Sequence, residues 1–167
     1  MARTPSRLAV LALSLAAAAP AAADGGAVLE LENAARGTRL AVALAPGESF
    51  AVVSHHSMYD APVTETFAVR PDGRIALRRV SSPSAAVREY LGLTAAGEAH
   101  AVERVLTEIV FRVAAGEPQR LLAGGVERSF LSLGERGDRL VMRARVGGER
   151  AARDPAPPPV GATAGAP

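Results

Sequence analysis

Apolar and polar positions alternate along most of the chain, in short runs divided by turn residues. AVLELEN (27–33) sets Leu29 and Leu31 on one face and Glu30 and Glu32 on the other. RLAVALA (39–45) repeats the pattern with Leu40, Val42 and Leu44. SFAVVSHHS (49–57), VTETFAV (63–69) and IALRRV (75–80) follow, the last two divided by the strong turn signal RPDGR. Further along, TEIVFRVA (107–114) turns Ile109, Phe111 and Val113 inward, and RLVMRARV (139–146) does the same with Leu140, Met142, Ala144 and Val146. Between them QRLLAGG and VERSFLSL meet at Gly124-Gly125, the signature of a tight hairpin. Two-residue periodicity with frequent turns predicts a mainly β chain, an antiparallel sandwich or barrel of about nine strands.

One segment departs from this period. In PSAAVREYLGLTAAGEAHAVERVL (83–106), Ala86, Val87, Tyr90 and Leu91 recur at helical spacing, and Pro83 suits a helix start. The spacing predicts one short helix from about Ser84 to Leu91 and a looser stretch through Gly97. Such a segment either covers an open end of the sheets or acts as a lid over a pocket.

The two ends have different characters. Arg3 and Arg7 precede an apolar run, Leu8–Ala19, and then the small residues Ala21–Ala23. That order predicts a secretory signal peptide over 1–23, with an apolar run too short for an ordinary membrane span. Residues 24–150 form the expected β-rich domain. Residues 151–167, rich in Pro, Ala and Gly, are expected to remain disordered, having little apolar surface to offset the entropy of ordering.

Charge and composition then narrow the function. The net charge is +2, and Arg3 and Arg7 of the leader account for it, so the exported part is close to neutral. With no basic block and no aromatic-basic interleaving, no nucleic-acid partner is expected. The chain has no cysteine, which rules out a lipid-modified cysteine and a disulfide-linked partner. The basic residues are all Arg, and Ala, Gly and Pro abound, as in a GC-rich genome. With the export signal, this points to the periplasm of a Gram-negative bacterium.

The candidate chemistry is concentrated in SHHSMYDAPVTETF (54–67). Matching the apolar faces of its two strands pairs Val52 with Val69, Ser54 with Phe67 and His56 with Glu65. His56 and Glu65 then become cross-strand neighbours on the core side, while His55 and Ser57 point away and His55 is exposed. The candidate polar site is therefore His56, Glu65, Ser54 and Ser57. Two readings stay open for the His56–Glu65 pair: a charge-paired spot that holds the strand register, and a general acid/base or small-ligand site. Neither a metal nor another cofactor is expected, since a metal needs three or four convergent donors and only two converge here. No catalytic residue is assigned. A nucleophilic serine would need an activating base and an oxyanion hole, and no G-x-S-x-G is present.

Phe50, Ser54, His56-Ser57, Pro62-Val63, Glu65 and Phe67 form a pattern that continues in Asp72-Gly73-Arg74 and in the run from Arg120 to Gly125. It closes at Arg139-Leu140-Val141. Over about Leu29 to Val146 it resembles the bacterial domain-of-unknown-function 1850 family. Two positions depart from that family: Ser54 stands where it usually has Tyr, and Ser84-Ala85-Ala86 stands where it has a Gly-Ala-Gly-like run. The resemblance implies a small exported β-rich protein with no established activity. Members are commonly encoded beside the fused membrane subunit of TAXI-type TRAP transporters. It thus implies a non-enzymatic accessory role, with a membrane transporter subunit or its solute-binding protein as partner.

Overall fold

The computed structural model describes residues 25–147. The expected leader (1–23) and tail (151–167) lie outside the described residues. Ten strands and one helix follow in the order β1 (Ala27–Asn33), β2 (Thr38–Leu44), β3 (Ser49–His56), β4 (Ala61–Val69), β5 (Ile75–Ser81), α1 (Ala85–Tyr90), β6 (Ala99–Leu106), β7 (Ile109–Arg112), β8 (Arg120–Ala123), β9 (Val126–Ser129) and β10 (Arg139–Val146). They make two antiparallel sheets, one ordered β2-β1-β10-β7 and the other β6-β5-β4-β3-β8-β9. The fold is therefore a β-sandwich and not a closed barrel.

Alternation along the strands builds the core. In β1, Ala27, Leu29 and Leu31 are buried, and from β2 Val42 and Leu44 join them. The other sheet supplies Phe50, Val52, Phe67, Ile75 and Leu121 to the same apolar cluster. Phe50 and Phe67 stack across β3 and β4 with centroids 5.2 Å apart and planes 16° apart. Such an offset pair adds about 0.5–1.5 kcal/mol beyond the area it buries.

Three expectations require correction. The segment 99–106, grouped with the helical segment 83–106 and given no strand, is an edge strand, β6, antiparallel to β5. Its sequence, AHAVERVL, is poor in β-formers, and its outward side chains Ala99, Ala101 and Glu103 are exposed, so local pattern offers little signal. Pairing with β5 across a bulge near Leu77 and Arg79 makes it a strand. VERSFLSL likewise is not one strand. It breaks after Ser129 into a 3₁₀ turn, Phe130–Ser132, whose Phe130 is wholly buried against Phe111.

The third correction concerns register. Val52 pairs with Glu65, Ser54 with Val63 and His56 with Ala61. His56 and Glu65 are thus not cross-strand partners. Four residues, 57–60, make the hairpin turn, closed by the Tyr59 amide donating to the His56 carbonyl at 3.2 Å. Asp60 sits there at φ 47, a left-handed conformation that Asp tolerates better than most residues. The predicted pairing would instead close at Tyr59 and Pro62, with the turn centred on Asp60 and Ala61. The observed one also lines Phe50 up with Phe67 and keeps every side chain on its expected face.

Candidate functional site

The core-facing side of the six-stranded sheet carries polar residues at positions where alternation calls for apolar ones. Ser54 and His56 come from β3, Glu65 from β4 and Arg104 from β6. They line a cavity of about 390 Å³ together with Val63, Leu77, Val80 and Val102. No residue of the four-stranded sheet contributes to its wall. The cover instead comes from Leu91 and Leu93, just after α1.

Local sequence explains how that cover is held. Ser84 caps α1 by accepting from the Val87 amide, and Val87 is wholly buried. Arg88 donates to the carbonyls of Ser82 and Pro83, at 2.7 and 3.0 Å, fixing the approach to the helix. At the other end the Leu93 amide donates to Arg88 and the Gly92 amide to Glu89, with Gly92 at φ 71. This is a Schellman termination, which reverses the chain and returns the following hydrophobic residue to the protein. Leu93 is that residue. His100 then anchors the far end of the loop, its Nε2 lying 3.0 Å from the Gly97 carbonyl.

Aromatic rings close the rim. His56 lies 5.2 Å from Tyr59 and 4.8 Å from Tyr90, and the two tyrosines are 5.9 Å apart. The hairpin tip and the end of α1 therefore meet ring to ring above the cavity. His56 Nδ1 is buried there without a hydrogen-bond partner. Around the trio Met58, Tyr59, Tyr90 and Leu91 are all exposed.

Electrostatically, the site holds an acid and a guanidinium that, among the described residues, have no ion-pair partner. Burial pushes the Glu65 carboxyl above the usual carboxylate range. Among the described residues no cation lies within ion-pair distance of it. Arg104 also has no carboxylate partner, although its neighbour Glu103, on the opposite face of β6, is 3.4 Å from Arg78.

Three of the four residues singled out from sequence, Ser54, His56 and Glu65, therefore share one cavity, while Ser57 does not. Ser57 lies in the exposed hairpin turn. His55 is half-buried rather than exposed, its Nε2 is 3.4 Å from Asp60, and it adds to the cavity wall. Sequence reasoning missed Arg104 because β6 was missed. Once 99–106 is a strand, period two places His100, Val102 and Arg104 on one face. Among the described residues no three His, Asp or Glu side chains cluster as a metal site would require.

No family model, curated protein or solved structure matches this chain. The resemblance to the domain-of-unknown-function family rests on its motif residues alone.

Proposed function

We propose that this chain is an exported, non-enzymatic domain that binds a small molecule in the cavity between the six-stranded sheet and the α1 segment. The observation that carries the reading is the cavity itself. Half-buried Ser54, His56 and Glu65, with exposed Arg104 on the edge strand, line it around an apolar floor, the composition of a ligand pocket. Polar residues placed against the strand pattern cost stability, and such departures concentrate at functional sites.

An acid/base enzyme fits the geometry less well. That chemistry needs its base and its partner within hydrogen-bond reach. His56 and Glu65 belong to different cross-strand pairs, and no hydrogen bond joins them. The N-terminal pattern of Arg, apolar run and small residues supports export to the periplasm. Service to a membrane solute transporter is the partner class that the motif resemblance supports.

The test is an amide NMR screen of the mature protein against small amphiphilic compounds. Binding should move resonances of β3, β4, β6 and residues 91–93 together. Filling the cavity with Val102→Trp should abolish those shifts while leaving the spectrum of β1 and β10 intact. Shifts scattered over the surface, or none, would remove the reading.

A further inference from the structure

The cavity also carries information about the class of its ligand, and the ligand class rests on the binding role of the cavity. Its one permanently charged group is Arg104, a guanidinium with five donors and, among the described residues, no carboxylate within ion-pair distance, although Glu65 lines the same cavity. The Ser54 hydroxyl is a second donor. Burial disfavours the charged form of the nearby Glu65 carboxyl. Opposite these lies an apolar floor that includes Val63, Val80, Leu93 and Val102.

A ligand cation would meet the opposite conditions. It would share the cavity with Arg104 and would rely on a carboxylate that burial disfavours. Nor do the rim aromatics offer a cage: His56, Tyr59 and Tyr90 pack on one another at 4.8–5.9 Å and leave no slot between their faces.

We propose that the cavity takes a small organic monocarboxylate, its carboxylate against Arg104 and its alkyl body over Val63, Val80, Leu93 and Val102. Guanidinium and carboxylate form two parallel hydrogen bonds, a geometry an ammonium or alcohol ligand does not reproduce. The rings of Tyr59 and Tyr90 then close over the bound molecule from the hairpin tip and the end of α1.

Hexanoate, hexylammonium and hexanol separate head group from tail. Each is titrated into the mature protein at neutral pH, with amide shifts of β3–β6 as readout. Hexanoate should bind, and octanoate should bind more tightly by about fourfold per added methylene. Arg104→Gln should weaken hexanoate by about tenfold or more, the loss expected for a charge-assisted hydrogen bond. Arg79→Gln, on the outer face of β5, removes the same charge and should leave hexanoate binding unchanged. If hexylammonium or hexanol binds as well as hexanoate, or Arg104→Gln binds hexanoate like the parent, the ligand class is wrong and the pocket stands. If none of the three moves the cavity amides, the binding role fails and the ligand class fails with it.

Discussion

Glu65 faces Val52 across the β3–β4 ladder, so a carboxyl on the core side of the sheet stands beside a side chain that is 1% exposed. With no cation paired to it, its charged form is disfavoured, and the carboxyl titrates above the ordinary Glu range. The folded protein therefore holds this proton to higher pH than the unfolded chain does. Stability contributed by the neutral carboxyl is present below the unfolded pKa and falls as pH rises through the folded one. Glu65→Gln should raise the melting temperature at neutral pH, and the difference should close as pH falls into the carboxylate range. Melting curves of both proteins from pH 4 to 8, where equal shifts at every pH would contradict this, provide the check.

Asn33 and Asp138 join the first turn to the last loop. The Asn33 side chain is wholly buried and donates to the Leu133 carbonyl and, at 3.0 Å, to Asp138 Oδ2. Asn33→Ala should cost about 1–3 kcal/mol, because it removes two hydrogen bonds of a wholly buried side chain, while Thr38 still donates to the Leu133 carbonyl. Chemical denaturation would measure it, with Glu32→Ala on the neighbouring outer position as a mild comparison.

Acid should loosen the same junction. The Arg36 side chain holds the Asp138 carboxyl down at about 2, helped by the Glu135 amide and Asn33. A depressed carboxylate contributes stability that is present above its unfolded pKa and is lost as pH falls through the folded one. Asp138→Asn should therefore flatten the acid limb of the stability curve between about pH 4 and 2. An unchanged acid limb would mean that Arg36 and Asp138 do not hold together in solution.

The β8–β9 hairpin separates conformational from steric demand. Gly124 and Gly125 both have positive φ, 56° and 70°. A Cβ on Gly125 would meet open space, whereas one on Gly124 would lie 2.6 Å from the Ala43 carbonyl oxygen of β2. Gly125→Ala should cost about 1 kcal/mol for the left-handed backbone alone. Gly124→Ala should cost clearly more, since backbone must also move. Equal costs in urea unfolding would show that the β2 contact is absent.

Phe67 tests the register from within the core. It is 2% exposed and stacked on Phe50. Phe67→Ala should cost about 3–5 kcal/mol. In a double-mutant cycle with Phe50→Ala the two losses should be non-additive, as for residues in direct contact. Additive losses would place the rings apart.

The sequence by itself determined the things that depend on near neighbours. Period-two alternation assigned Leu29, Val52, Phe67 and Met142 to the core face, because successive side chains in a strand point to opposite sides. Pro83 and the helical spacing of Ala86, Val87, Tyr90 and Leu91 marked α1, and Gly124-Gly125 marked a hairpin, because helix starts and tight turns are local chemistry. Face assignment leaves register open, however. Moving the partner of Val52 from Val69 to Glu65 displaces β4 by an even number of residues, so every side chain keeps its face. Only the stack of Phe50 on Phe67, the four-residue turn at Asp60 and the pairing with β5 and β8 select one register. In the same way, AHAVERVL becomes a strand because β5 offers it an edge. The cavity depends on both decisions. It needs β6 beside β5 to present Arg104, and it needs the chain reversal at Gly92 to bring Leu93 over the sheet, contacts between residues that no local period relates.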